Sequence, residues 1–320
     1  MSNKKKIDQL VKHLENEEKV YIQTHNFPDP DAIASAFGLQ YLLEKYGISS
    51  EIIYDGQLQS NPVERMISEL GISIYHYSEV KMMQNSKIVI VDGCKGNKNV
   101  TDLMGIKAAI IDHHQSICSE AAAYCDIRPD YGACSTIVSL YAKEAAIILS
   151  KNVATALALG IHVDTNSFRR GVSFEDLEAF IFLFDKIEHT VLGSILRNNI
   201  IQEELELYRK ALNDVVLYKE FAFYCFKDFC SQNLLGILAD FFLSIEEIDF
   251  VVLCSKIKDR IIMSVRSERL EWNAALILEK VVKGLGQSGG HDIMAGAIIE
   301  DVHSLDEKQL YNSFVEKLNL

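Results

Sequence analysis

The chain has 320 residues, 48% of them hydrophobic, which is enough to bury ample core and to build two globular domains. Its 45 acidic residues against 32 basic ones give a net charge of −13, which argues against binding along a long nucleic-acid track. Because the polar start lacks an apolar signal core and no apolar stretch reaches membrane-spanning length, we expect a cytoplasmic protein without a membrane partner.

The first half of the chain alternates short apolar runs with helical patterns. The runs are rich in Val and Ile and too short for helices, so they predict β-strands. Strands that alternate with helices indicate βαβ units and a parallel sheet covered on both faces. The predicted strands are 19–24, 50–54, 87–91 and 107–111, and the predicted helices are 7–17, 30–46, 63–70, 133–149 and 153–162.

The second half follows a different order. Residues 173–217 have a continuously helical pattern without a strand signal, which predicts a connector. The predicted strands after it are 221–226, 250–255, 260–265 and 295–299, with helices 234–243, 272–284 and 306–318 and a Gly-rich turn before the last strand. We therefore expect an α/β protein of two domains: a parallel-sheet domain over 1–190, a helical connector over 191–217 and a smaller α/β domain over 218–320.

Acidic and histidine residues recur where the predicted strands of the first half end. Ligands of a parallel α/β sheet bind outside the carboxyl ends of its strands, so loops from separate strands would bring these side chains together. Four carboxylates in one place repel one another unless cations compensate, and four negative charges match two divalent ions. The carboxylates are those of Asp29, Asp31, Asp92 and Asp164, and the accompanying histidines are His25, His113 and His114.

Each of these residues also has a purely structural interpretation. An Asp at the end of a strand is often a turn or N-cap residue, and Asp29 before Pro30 has the pattern of an N-cap followed by proline at the first helical position. It is the joint occurrence of Asp and His in four ordered clusters that favours a metal site over separate caps.

The seven cysteines form no CxxC pair, and their number is odd. We therefore expect reduced, mostly buried thiols rather than a disulfide framework or a cysteine-rich zinc site. They stand at positions 94, 118, 125, 134, 225, 230 and 254.

The four clusters resemble the DHH phosphoesterases, named for Asp-His-His. They are His25-Asn-Phe-Pro-Asp29-Pro-Asp31, Val91-Asp92-Gly93, Asp112-His113-His114 and His162-Val-Asp164-Thr165. This superfamily includes RecJ-like exonucleases, nanoRNase/phosphoadenosine-phosphate phosphatases, cyclic-dinucleotide phosphodiesterases and family II pyrophosphatases.

The resemblance implies a role for each residue of the clusters. His25, Asp29 and Asp92 would hold one metal ion, usually Mn²⁺. Asp92 would bridge to a second ion. Asp112 would orient the neighbouring histidines, and His114 would face the substrate phosphate. The implied ligands of the second ion are Asp31, Asp92, His113 and Asp164.

The second half resembles the C-terminal domain of the oligonucleotide-processing branch of the same superfamily. Arg266-Ser267 and Gly289-Gly290-His291 match its nucleotide-binding pair and its Gly-Gly-Gly-His turn, although Ser288 replaces the first glycine. The structural alternatives are a surface strand residue for Arg266 and a turn histidine for His291.

The expected function is therefore Mn²⁺-dependent hydrolysis of short oligonucleotides to mononucleotides, as by an exonuclease or oligoribonuclease, with phosphatase activity on 3′-phosphoadenosine 5′-phosphate as a further expectation. The alternatives are hydrolysis of linear or cyclic dinucleotides or of polyphosphate and, in another class, a non-catalytic nucleotide-binding protein. The expected partners are two Mn²⁺ ions and a nucleotide substrate, and a homodimer is left open.

Overall fold

The computed structural model describes residues 6–15, 17, 19–58, 61–94, 99–115, 122–197, 200–269, 271–300 and 307–320. The chain divides into two units, Met1–Asn199 and Ile200–Leu320, and each unit has its own sheet. The first sheet is parallel and the second is mixed, so the predicted α/β class with two domains is confirmed.

Six parallel strands form the sheet of the first unit, in the order β3-β2-β1-β4-β5-β6. The order reverses between β1 and β4, and a ligand of an open α/β sheet binds beside such a switch point, outside the carboxyl ends of the strands. His25 follows β1 and Asp92 follows β4, so both residues leave the sheet at this point. The strands are β1 Val20–Gln23, β2 Ser50–Tyr54, β3 Ile74–His76, β4 Lys87–Val91, β5 Ile106–Asp112 and β6 Tyr124–Ile127.

The helices of the first unit contribute to a core on one face of this sheet, and the opposite face is covered differently. Alternate strand residues such as Tyr21 and Ile90 form a smaller core with Cys94, Val100 and Leu103, which lie outside helices. Both faces are thus covered as expected, but in the described part of the chain only one is covered by helices. They are α1 Lys6–Lys12, α2 Pro30–Lys45, α3 Asn61–Leu70, α4 Cys134–Ala145, α5 Lys151–Asp164, α6 Phe174–Phe184 and α7 His189–Arg197.

The predicted start of α2 is confirmed. Asp29 is its N-cap, and the Asp29 side chain accepts hydrogen bonds from the backbone N–H groups of Asp31 and Ala32. Pro30 takes the first helical position, where its missing N–H costs nothing.

The second unit is built on the mixed sheet, in the order β11-β12-β10-β9-β8-β7. Helices α8 and α9 pack against one face, and α10 and α11 pack against the other. Its strands are β7 Val216–Tyr218, β8 Phe221–Phe226, β9 Phe250–Ile257, β10 Arg260–Ser267, β11 Gly286–Gly290 and β12 Met294–Glu300, and its helices are α8 Leu205–Asp214, α9 Gln232–Leu243, α10 Ala274–Val282 and α11 Glu307–Leu318.

The segment predicted as a continuous helical connector is more divided than its pattern indicates. Leu183 and Ile195, from α6 and α7, lie in the core of the first unit, whereas Ala211 of α8 lies in a core of the second. The segment also ends in strand β7 rather than in helix. A helical period alone does not distinguish a connector from helices that pack on the domain before it.

The Gly-rich stretch before the last strand is itself a strand and not a turn. β11 pairs antiparallel with β12. A Cβ at Gly286 would lie 2.1 Å from the carbonyl oxygen of Ile298, and one at Gly290 would lie 2.3 Å from that of Met294, so only glycine permits this close backbone approach. The sequence gives no strand signal here because three of the five residues that form the strand are glycines and none is apolar with a side chain.

The cysteine prediction is wrong at one position. Cys125, on the edge strand β6, is disulfide-bonded. The expectation of reduced thiols rested only on the absence of a framework pattern, which does not exclude a single disulfide. Cys118 lies outside the described residues. The other five cysteines are free and buried, as expected.

Among the described residues, no helix combines the length and the apolar character needed to cross a bilayer.

Candidate metal centre

Seven Asp and His side chains form one cluster outside the carboxyl ends of β1, β4 and β5. Within each of three overlapping sets, one potential ligand atom per residue lies within 4.8 Å of the others. The sets are His25, Asp29 and Asp92; Asp31, His113 and Asp164; and Asp92, His113 and His114.

Asp92 lies at the centre of the cluster. Its carboxylate is 1% exposed, with Oδ2 3.5 Å from Nε2 of His25 and Oδ1 3.4 Å from Nε2 of His113. Its backbone is left-handed, with φ of 54°, a conformation that Asp tolerates better than most residues. The turn after β4 therefore directs one carboxylate between two histidines.

The two histidines are oriented through their other ring nitrogens. Nδ1 of His25 lies 2.8 Å from the carbonyl oxygen of Asn26, and Nδ1 of His113 lies 3.1 Å from that of Tyr131. Because a carbonyl only accepts, each Nδ1 carries the proton in these contacts, and each Nε2 points into the cluster. Metal-binding histidines are commonly held in this way.

Asp31 is fully buried and links α2 to the start of α4. Its Oδ2 accepts from the N–H of Cys134 at 2.7 Å, and its Oδ1 accepts from the N–H of Ser135 at 2.9 Å. A carboxylate oxygen has two lone pairs, so each oxygen keeps one for a further ligand. The charge of Asp31 thus stabilises the N-terminus of another helix as well as belonging to the cluster.

Asp29 and Asp164 complete the carboxylates. Oδ1 of Asp29 caps α2, whereas its Oδ2 is 3.9 Å from Nε2 of His25. Asp164 is the last residue of α5, and its Oδ2 is 3.2 Å from Nε2 of His113.

The pKa values of Asp29 and Asp31 are raised because several negative charges lie close together without a cation. Burial, and then repulsion by Asp164 and Asp92, raises the pKa of Asp29 to about 6; because its side chain is 45% exposed, repulsion is the stronger reason. The same two causes raise the pKa of Asp31 well above its usual range.

The pKa values of His25 and His113 are raised, which favours the positively charged form of each imidazole. Burial alone would lower the pKa of His25, but contacts with Asp92 and Asp29 outweigh it and raise the value to about 10. His113 is raised well above its usual range by Asp164 and Asp92, which likewise outweigh burial. Burial would raise the pKa of Asp92, but His113 and His25 hold it far below the usual range. Without a metal, protons on the histidines thus compensate the carboxylates.

The donor set fits divalent cations. Oδ1 of Asp92 and Nε2 of His113 are buried and have no hydrogen-bond partner, which is costly unless another group binds them. Mixed carboxylate and imidazole donors suit Mn²⁺ better than a soft thiolate site would. The residues present can therefore hold such ions.

Asp112 and His114 form a pair beside the cluster. Asp112, the fully buried last residue of β5, has Oδ1 2.9 Å from Nδ1 of His114 and accepts from the backbone N–H of His114 at 3.1 Å. The hydrogen bond to Asp112 raises the pKa of His114, whose side chain is 38% exposed.

The residues singled out in the second half lie in the second unit. Arg266 faces Met294 across β10 and β12, and the backbone N–H of His291 donates to the carbonyl of Met294 at 2.6 Å. Gly290 pairs with Ala295, one residue further along β12. Arg266, Ser267, Gly289, Gly290 and His291 thus lie toward one end of the second sheet.

Much of the hydrogen-bonding capacity of the Arg-Ser pair is used inside this unit. Nε of Arg266 donates to Asp240 at 2.6 Å, and its Nη1 donates to the hydroxyl of Ser264 at 3.0 Å. The Arg266 side chain is only 12% exposed. Ser267 is buried, and its hydroxyl donates to the carbonyl of Arg269. Gly289 is exposed, and the space where its Cβ would lie is open.

Three supporting features of the cluster are not evident from the sequence. They are the N–H groups at the start of α4, the carbonyl of Tyr131 and the absence of a side chain at Gly160. A Cβ at Gly160 would lie 2.7 Å from Oδ1 of Asp31 and 2.2 Å from the hydroxyl of Ser135. Each feature is a contact between elements distant in the chain; a small residue inside the predicted helix 153–162 was the only available signal.

Two protein-family models match this chain, one in each of its two units. The first unit matches the DHH family, N-terminal domain over residues 19–161, and the second matches the DHHA1 domain over residues 214–319. An uncharacterized protein of Methanocaldococcus jannaschii is 34% identical over 302 residues, which are 93% of this chain and 62% of that protein. The chain thus spans less than two thirds of the length of this relative.

Two further similarities are with proteins whose names describe an activity. A probable manganese-dependent inorganic pyrophosphatase of Streptococcus pyogenes is 27% identical over 152 residues, which are 46% of this chain and 48% of that protein. The crystal structure of an exopolyphosphatase-related protein from Bacteroides fragilis superposes with a TM-score of 0.80 at 20% identity and covers 98% of this chain and 95% of that one, which supports the fold alone. With a DHH N-terminal domain followed by a DHHA1 domain, the chain belongs to the DHH family.

Proposed function

We propose that the chain is an Mn²⁺-dependent phosphoesterase that hydrolyses short oligonucleotides from one end to mononucleotides, with 3′-phosphoadenosine 5′-phosphate as a further substrate. The observation that carries this proposal is the cluster around Asp92, in which a carboxylate oxygen and an imidazole nitrogen are buried without a partner. The pyrophosphatase similarity supports manganese as the metal.

The metal ligands would be divided around Asp92. His25, Asp29 and Asp92 would hold one ion, and Asp92 would also contribute to the second. Ions bound there would supply Lewis-acid stabilisation of charge on the phosphoryl oxygens and lower the pKa of the attacking water. The ligands of the second ion would be Asp31, Asp92, His113 and Asp164.

His114 would bind the phosphate. Its Nδ1 lies 2.9 Å from Oδ1 of Asp112, and the hydrogen bond between them raises the pKa of the imidazole, which favours its cationic form. A cationic imidazole can donate a charge-assisted hydrogen bond to a phosphoryl oxygen. Asp112 would act through His114 by fixing its orientation.

The second unit would select the substrate. Arg266, Ser267, Gly289, Gly290 and His291 lie toward one end of its sheet, and the space where a Cβ of Gly289 would lie is open. Arg266 is hydrogen-bonded to Asp240, so a phosphate that binds it must compete with that carboxylate. This competition gives Arg266 a smaller role in affinity than a free guanidinium would have.

A second candidate is hydrolysis of pyrophosphate or short polyphosphate. The similarity to the manganese-dependent pyrophosphatase favours this reaction. Linear and cyclic dinucleotides would require the same chemistry. A non-catalytic nucleotide-binding role is disfavoured because the full donor set is retained.

A substrate panel tests the proposal. The purified protein with Mn²⁺ is incubated separately with a dinucleotide, a five-nucleotide RNA, a cyclic dinucleotide, 3′-phosphoadenosine 5′-phosphate, pyrophosphate and polyphosphate, and product release is followed. We expect mononucleotides from the dinucleotide and the RNA. Turnover of pyrophosphate or polyphosphate alone would overturn the nucleotide assignment. If none of the substrates is turned over, the proposal that the chain is an enzyme fails.

A further inference from the structure

Phe27 has an unusual conformation and an unusual position. It lies midway between His25 and Asp29, yet its backbone is left-handed with φ of 56°, and 49% of its surface is exposed. A left-handed backbone is strained for a bulky side chain, and residues so strained concentrate at functional sites. Burial in a core does not explain this phenylalanine.

The loop around Phe27 is held from both sides. The backbone N–H of Asn26 donates to the carbonyl of Asn99 at 2.6 Å, and the Asn26 side chain accepts from the N–H of Thr101 at 3.2 Å. The N–H of Phe27 donates to the carbonyl of Asp55 at 3.2 Å. The conformation is thus fixed by segments that follow β2 and β4.

The ring of Phe27 lies against a glycine. A Cβ at Gly56 would be 2.9 Å from Cε1 and 3.0 Å from Cδ1 of Phe27, so any side chain at that position would displace the ring. Gly56 is itself left-handed, with φ of 81°. The ring therefore packs against the backbone of Gly56, while about half of the surface of Phe27 remains exposed.

Phe27 lies two residues along the chain from each of two members of the cluster. Its Cα can be at most about 7.6 Å from that of either His25 or Asp29, because each is two residues away. An exposed aromatic ring beside a phosphate-binding site is suited to stacking with a nucleobase, which every base permits through its π face. A bare phosphate chain would gain nothing from this ring.

We propose that Phe27 is a stacking platform for a nucleobase of the substrate and determines the preference for nucleotides over inorganic phosphates. This inference rests on the proposed phosphoesterase function and adds a base-binding element in the first unit.

The test compares a ligand that has both a base and a phosphate with a ligand that has only the sugar and the phosphate. Binding of AMP and of ribose 5-phosphate to the Mn²⁺-loaded full chain is measured by calorimetry for the wild type, Phe27→Ala and Phe27→Tyr. We expect the wild type to bind AMP about tenfold or more tightly than ribose 5-phosphate. Phe27→Ala should remove this difference by weakening AMP only, and Phe27→Tyr should preserve it.

Phe174→Ala is the matched control, because Phe174 is 76% exposed on α6 and lies outside the cluster. It should leave both affinities unchanged. Equal affinity of the wild type for the two ligands, or an unchanged ratio in a folded Phe27→Ala variant, would overturn the platform while leaving the phosphoesterase proposal intact. If neither ligand binds any variant, both proposals fail.

Discussion

Asp92 is the residue on which the proposed metal centre would depend most. It contacts both histidines, it is almost fully buried, and a left-handed turn directs it. The carboxylates and histidines of the cluster could be recognised from the sequence, because each ends a strand or lies in a motif of known order. Their partners could not be recognised, since the carbonyl of Tyr131 and the N–H of Cys134 carry no side-chain signal.

Asp92→Asn should abolish metal binding while keeping the fold. Asn fits the left-handed backbone as well as Asp does, but it lacks the charge that two ions would share. We expect loss of bound Mn²⁺ by elemental analysis and at least a 100-fold fall in phosphodiester hydrolysis. Asp185→Ala, at an exposed position after α6, is the control and should retain full metal content. Near-normal Mn²⁺ in Asp92→Asn would refute the bridging role.

Because protons on the histidines balance the charge of the carboxylates, we predict an unusual pH dependence of stability for the metal-free protein. The pKa of His25 rises from 6.5 to about 10 on folding, so its contribution to stability is complete below 6.5 and is lost as pH rises toward 10. Asp29, raised from 3.8 to about 6, contributes below 3.8, and its contribution is lost as pH rises through 6. Stability without metal should therefore fall as the medium becomes alkaline.

Metal binding should reverse this trend, because the ligands must lose their protons to coordinate. We expect the Tm in EDTA to fall between pH 7 and pH 9, the Tm in saturating Mn²⁺ to exceed it by a growing margin, and Mn²⁺ binding to release protons. Calorimetry in buffers of different ionisation enthalpy measures the release. A metal-free Tm that rises with pH would contradict the proton balance.

At the scale of elements, the close packing of α2, α4 and α5 places Asp31. Gly160 on α5 makes room for both Asp31 and Ser135, so the proposed metal centre would depend on a residue that is not a ligand. Gly160→Ala should cost about 1–3 kcal/mol through overpacking and should weaken Mn²⁺ binding by displacing Asp31.

Gly193→Ala provides the matched control for Gly160→Ala. Gly193 lies in α7 with open space where a Cβ would be, so alanine there should raise stability by up to about 1 kcal/mol and leave Mn²⁺ binding unchanged. Denaturant unfolding and Mn²⁺ titration measure both effects. Equal behaviour of the two variants would show that Gly160 does not support the centre.

Most of the strands that could be predicted have a continuous apolar run, and β2, whose observed bounds are also the predicted ones, has two buried isoleucines. β4 and β8 have the predicted bounds because their residues are largely buried and rich in branched or aromatic side chains. β3, β6 and β7 are only three or four residues long and partly or fully exposed, so they are too short to give a distinct strand pattern. β11 has a glycine-rich sequence that is typical of a turn and pairs only because its backbone can approach β12 closely.

At the scale of the whole molecule, the two units divide the work that we propose. The first unit contains every candidate metal ligand together with His114 and Phe27, whereas the candidate phosphate contacts Arg266 and His291 lie in the second. The change in the strand and helix pattern along the chain, together with the separate resemblances of the two halves, predicts this division. The net charge of −13 is consistent with short substrates, for which a long basic surface is not required.

The most direct test of the central claim is Mn²⁺-dependent release of mononucleotides from a dinucleotide by the full chain, compared with Asp92→Asn. We predict steady turnover by the wild type with Mn²⁺, none in EDTA, and at least a 100-fold lower rate for the variant. Equal rates with and without Mn²⁺, or an unaffected Asp92→Asn, would contradict a metal-dependent phosphoesterase centred on Asp92.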